Sequence, residues 1–240
     1  MKLYLVGGKV RDDLLGLPSK DHDFTVVLDE PLGGWDPFDF MIERLRIMGF
    51  EIFLTTREYL TVRARFPRDH MNEGVTADFV LARKESGYSD GRRPDHVKPG
   101  SLMDDLARRD FACNAIAQDE DGNLIDPHGG VQDIQDRVIR PVGSAYARLT
   151  EDPLRALRAL RLSLTKIMSI DPQIDNIIEH PDVLRGIGNL SSERIYDELT
   201  KMFRHSTLHA LWMLEGYPQL QITIFEKVRL DPTLKIKGRG

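Results

Sequence analysis

The chain reads as an α/β N-terminal half followed by an all-α C-terminal half, α+β overall, with the change near residue 143. Two observations predict this. Up to about residue 140, short β-forming runs alternate with helical stretches, and from about 145 the apolar spacing turns helical. A third bounds the size: 240 residues, 41% hydrophobic and 30% charged, suit a globular chain of one large or two small domains.

Lys2–Val6 is rich in β-formers, and Val10, Leu14, Leu15 and Leu17 then recur at helical spacing, with Gly7 and Gly8 between as a turn. Strands are expected near 2–6, 22–27, 50–55, 59–66 and 75–82, and helices near 9–16 and 38–48. Residues 84–100, holding Gly87, Ser89, Gly91, Pro94, Pro99 and Gly100, read as a loop. Lys84, Arg92 and Arg93 are candidate RNA contacts there, weighed against a simple solvated loop. Helices follow at 152–168, 172–180, 191–204 and 206–215. Thr150, Glu151 and Pro153 form one helix start and Ser191-Ser192-Glu193-Arg194 another. Asp182–Leu190, with Gly186 and Gly188, reads as a connector. There is no internal repeat and no low-complexity tract.

The first thirty residues carry the chemistry. Gly7 and Gly8 let the backbone turn and approach a ligand closely. The helix start after them favours an anion, and Arg11 adds a planar fork suited to phosphate oxygens. Neither G-x-G-x-x-G nor G-x-x-x-x-G-K-[ST] is present. Asp21 and Asp23 lie at i and i+2 on a strand-like segment, so both carboxylates point the same way. Two converging carboxylates with substrate phosphates suit Mg²⁺. Val26 stands where an EF-hand loop needs glycine, which excludes that motif.

Four motifs in order resemble one family. Gly7-Gly8-Lys9-Val10-Arg11-Asp12 with Leu14-Leu15-Gly16 and Asp21-His22-Asp23 is the first. Asp104-Asp105-Leu106-Ala107-Arg108-Arg109-Asp110-Phe111-Ala112-Cys113-Asn114-Ala115-Ile116-Ala117 is the second. Asp126-Pro127-His128-Gly129-Gly130 with Asp133-Ile134 and Ile139-Arg140 is the third, and Glu151-Asp152-Pro153-Leu154-Arg155-Ala156-Leu157-Arg158-Ala159-Leu160-Arg161 is the fourth. Together they resemble the class II (bacterial-type) tRNA nucleotidyltransferase and poly(A) polymerase family, which includes the CCA-adding enzymes. The resemblance implies a polymerase-β-like nucleotidyltransferase head over residues 1–143. A helical neck and truncated body over 144–240 would template the nucleotide and bind RNA. It implies phosphoryl transfer from CTP or ATP to the 3′ end of tRNA with loss of pyrophosphate. Mg²⁺ would be held by Asp21 and Asp23, with Asp78 as a candidate third catalytic carboxylate. Gly7, Gly8, Arg11 and Arg109 would hold the nucleotide's phosphates, Asp152 and Arg155 its Watson–Crick edge, and Arg158 and Arg161 its base, ribose or phosphates.

The fourth motif is also legible by geometry. Arg155, Arg158 and Arg161 recur every three residues, and Leu154, Leu157 and Leu160 recur beside them. On a helix the two stripes lie roughly opposite, one packing in the core and one presenting guanidinium groups. A carboxylate accepts from an exocyclic amino group and a guanidinium donates to ring nitrogen or carbonyl. That pairing selects C and A over U and G.

Net charge is −5, unusual for an RNA binder, although Arg137, Arg140, Arg148, Arg155, Arg158 and Arg161 can form a local basic surface. A single cysteine, Cys113, excludes an intrachain disulfide and reads as a small buried residue. No signal peptide or membrane-spanning run is evident, so a cytoplasmic location is expected. His205 and His209 lack the Glu of H-E-x-x-H and read as surface or packing residues. Family members extend well past the template helix, so a chain ending at Gly240 is expected to be minimal, a fragment or a homo-oligomer. Residues 28–75 do not align with the family. This leaves CCA, CC-only and A-only addition open beside a poly(A) polymerase and a catalytically silent RNA-binding module.

Overall fold

A computed structural model describes residues 1–229 apart from Lys20, Pro31, Asp69 and 87–95. Strand β1 (Lys2–Val6) runs into helix α1 (Gly8–Leu14) through Gly7, whose φ of 73° is a left-handed value open to glycine. Strand β2 (Asp23–Val27) and helix α2 (Pro37–Ile47) follow. Asp36 caps α2 by accepting from the backbone N–H groups of Phe38 and Asp39, and Pro37 sits in its first turn. Strands β3 (Glu51–Thr56), β4 (Thr61–Arg65) and β5 (Thr76–Leu81) extend the sheet. Strand β6 (Arg83–Ser86) pairs antiparallel with β7 (His96–Pro99). Part of the expected 84–100 loop is therefore paired strand. Lys84 lies on β6, while Arg92 and Arg93 lie outside the described residues.

Helix α3 (Leu102–Ala107) starts on a capping box between Ser101 and Asp104. Strands β8 (Ala117–Gln118) and β9 (Leu124–Ile125), helix α4 (Gly130–Gln135) and strand β10 (Val138–Ile139) complete the N-terminal half. The seven-stranded sheet has the order β3-β4-β5-β2-β1-β8-β9. The β2–β5 pair is parallel, and the other adjacent pairs are antiparallel. One face is dry: Phe24, Phe50, Phe66 and Phe79 pack ring against ring beneath Phe38, Met41 and Leu45 of α2. Strand alternation sends Asp23, Thr25, Arg63 and Asp78 to the opposite face. Their backbones are in register, Asp23 beside Asp78 and Asp78 beside Arg63.

The C-terminal half is helical: α5 (Ala145–Glu151), α6 (Leu154–Lys166), α7 (Pro172–Asp175), α8 (Pro181–Asn189), α9 (Ser192–His205), α10 (Thr207–Glu215) and α11 (Pro218–Lys227). The short strand β11 (Ser169–Ile170) pairs with β10. This is the expected mixed sheet followed by helices, with local differences. The expected 152–168 helix starts later, because Asp152 precedes a proline and is extended (φ −134°, ψ 98°). The expected 172–180 helix stops at Asp175. Asp182–Leu190 is mostly helix, not a connector. Gly186 belongs inside α8 because a Cβ there would stand 2.3 Å from Pro153 Cγ.

One apolar cluster joins Val10, Phe111, Cys113 and Ile116 to the helices as far as Val228, so packing from the second motif continues into the helical half. Cys113 is fully buried, as expected, and lies in a 3₁₀ turn. Burial pushes its thiol up to about 12. Among the described residues no helix is long and apolar enough to cross a membrane.

Candidate active site

The solvated face of the sheet and the N-terminal half of α6 enclose a cleft of about 700 Å³. Gly7, Gly8, Arg11, Asp21, Asp23, Arg109, Asp152, Arg155, Arg158 and Arg161 all line it. Asp78 lines an adjoining hollow that shares Asp21 and Asp23. Residues from three of the four sequence motifs, the first, second and fourth, thus meet in one place.

Asp23 opens β2, and Asp21 lies just before it. The backbone N–H of Asp78 donates to the His22 carbonyl at 3.0 Å, carrying the parallel pairing past the strand end. Desolvation in the cleft raises the Asp23 pKa. The nearby charges of Asp78 and Asp21 raise it further, and Arg109 and Arg63 oppose them. Asp78 is turned to Arg63, whose Nε and Nη2 donate to its two oxygens at 2.7 and 2.6 Å. Among the described residues no three His, Cys, Asp or Glu side chains by themselves form a metal-binding group. A pair of carboxylates crowded by a third still fits a divalent cation that takes its remaining ligands from water and substrate phosphates.

Asp105, fully buried on α3, holds Arg108 and Arg109 at the cleft. It accepts from Arg109 Nη2 at 2.9 Å, Arg108 Nη2 at 2.5 Å and Thr25 Oγ1 at 2.8 Å. The two guanidinium groups outweigh burial and hold its pKa at about 2. Gly7 is required twice here, by its φ and because a Cβ would stand 2.9 Å from Arg109 Nη1. Arg109 Nε is buried with no partner among the described residues, and so is Arg194 Nη1. Both residues line the cleft, where a ligand acceptor would satisfy them.

Each arginine of the α6 ribbon already has a carboxylate, and none stands free in solvent. Arg155 pairs with Glu151 at 2.6 Å and is buried, Arg158 takes Asp110 through Nε and Nη2 at 2.8 and 2.6 Å, and Arg161 pairs with Glu198 of α9. Asp152 receives Arg194 Nη2 on both oxygens at 3.1 Å. Asp110 is ionised well below the ordinary carboxylate range despite burial, held there by Arg158, Asn114 and Arg155, and Arg158 is pushed up in return.

Arg11 is equally engaged. Its Nε and Nη2 donate to Asp12 at 2.9 and 2.7 Å, and its Nη1 donates to Asn114 Oδ1 at 2.5 Å. Asn114 Nδ2 donates to Asp110 at 2.9 Å, and Lys166 closes the far end on Asp12 at 2.9 Å. A continuous polar chain, Lys166–Asp12–Arg11–Asn114–Asp110–Arg158, ties α1 to α6.

Sequence reasoning did not assign Asp12, Arg63, Asp105, Asp110, Asn114, Lys166, Arg194, Glu198 or Lys201 to the site. Asp12, Asp105, Asp110 and Asn114 stand inside the motifs, and a motif arginine within five residues of each was the available signal. His205 and His209 are on the surface, His209 within 2.7 Å of Ser206 Oγ and edge-on to Trp212.

The family described as the poly A polymerase head domain matches residues 3–140. The chain is 36% identical to the multifunctional CCA protein of Nitrosospira multiformis over 212 residues, covering 85% of this chain and 45% of that protein. It is 36% identical to the CCA-adding enzyme of Lactobacillus johnsonii over 201 residues, covering 83% and 45%. Among solved structures, the Bacillus stearothermophilus CCA-adding enzyme in complex with CTP superposes with a TM-score of 0.69 at 32% identity, over 88% of this chain and 47% of that one. A tRNA nucleotidyltransferase complexed with a primer tRNA and an incoming ATP analog gives 0.70 at 28% identity, over 96% and 61%. The chain spans about half the length of the curated relatives it matches.

Proposed function

The chain belongs to the poly(A) polymerase head-domain family, and from that premise we propose that it is a tRNA nucleotidyltransferase. It adds C, A or both, from CTP and ATP, to the 3′ end of tRNA. The observation that carries this reading is the cleft, with the Asp21/Asp23 pair at the sheet and Asp152 with the α6 arginines across from it. Similar solved structures include one complexed with CTP and one with a primer tRNA and an incoming ATP analog.

We assign 1–143 to a catalytic head and 144–240 to a helical neck and body that templates the nucleotide and binds RNA. Asp21 and Asp23 would hold Mg²⁺, with Asp78 beside them. Bound there, the metal supplies charge to activate the 3′-hydroxyl and to neutralise the departing pyrophosphate. Arg109, steadied by Asp105, and Arg11 orient the triphosphate along the Gly7–Gly8 turn. Asp152 exchanges its bond to Arg194 for one to the exocyclic amino group of cytosine or adenine. Arg155 faces the ring acceptor, and Arg158 and Arg161 steady the base, ribose or phosphates. The hydroxyl oxygen bonds to the α-phosphorus as the bond to pyrophosphate breaks. No protein nucleophile is needed, consistent with a buried and un-ionised Cys113. The reducing cytoplasm is the compartment that fits this thiol.

The test is incorporation into tRNA transcripts ending before CCA, after C and after CC, with CTP, ATP or both plus Mg²⁺, sized at single-nucleotide resolution. Growth that halts at CCA, at CC, or after one A on the CC-ended RNA supports the reading and assigns the product. A long A ladder assigns a poly(A) polymerase instead. Folded chain that binds RNA but incorporates nothing is a silent binding module.

A further inference from the structure

Arg63 is the cation of the hollow that holds Asp21, Asp23 and Asp78, and the proposed reaction leaves it without a task. It stands at the centre of β4, where Val62 and Ala64 on either side point into the aromatic core and send its own side chain to the opposite face. Strand register does the rest. Arg63 is opposite Asp78, and Asp78 is opposite Asp23, so cation, carboxylate and carboxylate form one row across three strands. The hollow they line also holds Asp21. Both oxygens of Asp78 are taken, since the Nε and Nη2 of Arg63 donate one to each in a fork-on-carboxylate pair. Each oxygen has one lone pair committed to the fork, so a cation that recruits Asp78 must compete with Arg63 for the carboxylate's charge. The other charged groups acting on this row are Asp21 and, from across the cleft, Arg109.

We propose that Arg63 is an internal counter-ion that competes with divalent metal for Asp78, holding a third metal-ligating carboxylate in reserve beside Asp21 and Asp23. The inference rests on the phosphoryl-transfer reading and deepens its metal site. With little metal present, the Arg63 fork neutralises the third carboxylate and limits repulsion in the row. As metal binds the Asp21/Asp23 pair, Asp78 either stays with Arg63 or turns to the ion, and Arg63 sets that balance. Arg63 is half exposed, so its release into water carries a small desolvation term. The exchange is therefore reversible at ordinary metal concentrations. Arg63 is a positioning residue in this scheme, because it acts through Asp78.

The experiment is Mn²⁺ binding to the whole chain, read from the loss of the free-ion electron paramagnetic resonance signal, with no nucleotide or RNA present. Arg63→Met is expected to bind Mn²⁺ roughly ten-fold more tightly than the unmodified chain, the scale of removing one competing charge at contact distance. The gain should vanish when Asp78→Asn is added, because no third carboxylate is left to recruit. Circular dichroism and thermal unfolding confirm that each variant folds, and Arg63→Gln repeats the measurement should Arg63→Met unfold. Unchanged Mn²⁺ affinity in both Arg63 variants overturns the proposal. So does a gain that survives Asp78→Asn, which would be a general field effect. Asp21→Asn separates this failure from failure of the underlying reading. If Mn²⁺ binding is indifferent to Asp21→Asn, the metal site itself is wrong, whatever Arg63 does.

Discussion

Asp105 and Asp110 are buried against the arginines of the site, Asp21 and Asp23 face its cleft, and Asp105 and Asp110 live in electrostatic surroundings opposite to those of Asp23. Asp105 and Asp110 are buried, yet both ionise below the ordinary carboxylate range because arginines sit on their oxygens. Asp23 is less buried, yet its pKa is raised by desolvation in the cleft and by the like charges of Asp78 and Asp21. The contrast separates carboxylates whose charge the fold itself neutralises from one whose charge it leaves crowded. Burial alone would have sorted them the wrong way round. The partner of each oxygen sorts them correctly.

The sharpest way to break this comparison is to neutralise one member of each set. Asp23→Asn should cut nucleotide incorporation on the order of a thousand-fold. A raised folded-state pKa means that the ionised group weakens the fold at neutral pH, so the same variant should unfold at an equal or higher temperature. Single-turnover incorporation beside a thermal melt measures both. Asp110→Ala should do the reverse of a silent change in stability. It strands Arg158 and half of Asn114, and should cost about 3–5 kcal/mol in urea unfolding.

The comparison sharpens with pH. The depressed pKa of Asp105 contributes stability that is fully present above 3.8 and disappears as pH falls towards about 2. The contribution is about 2 kcal/mol. Urea titrations through acid pH should show Asp105→Asn losing this part of the acid dependence, while Asp23→Asn keeps it. Gly7→Ala should have the smallest effect, about 1 kcal/mol of stability from the left-handed φ. A few-fold rise in nucleotide KM should accompany it, about 1 kcal/mol or less, as Arg109 is displaced by the new Cβ. Steady-state kinetics at varied CTP and ATP would read it.

Much of this was legible in the chain because its signals are local. The first five large strands follow from apolar alternation bounded by turns, and each was placed within two residues of where it lies. The glycines, the Asp21/Asp23 pair and the arginine ribbon sit in compact motifs, and the fold gathers ten of the eleven named residues into one cleft. What the sequence did not carry was pairing across long separations. Asp152 meets Arg194 and Arg161 meets Glu198 only because α9 packs on α6. The hold of Arg63 on Asp78 depends on strand register, which composition does not encode. Helix α8 was misread for a related reason. Glycine is a poor helix former in isolation, but Gly186 answers to a neighbour in space rather than to its own segment.

That neighbour is Pro153, the residue from which α6 begins. Gly186 leaves room for the proline ring, and a single added methyl would overlap it at 2.3 Å. The placement of the first arginines of α6 is thus secured by an atom that is missing from a different helix. In a saturation-mutagenesis survey, position 186 should tolerate almost nothing, ranking with Asp21 and Asp23 although it touches no reactant. A substitution there should become acceptable only alongside a smaller residue at 153, so the two positions would be inherited as a pair.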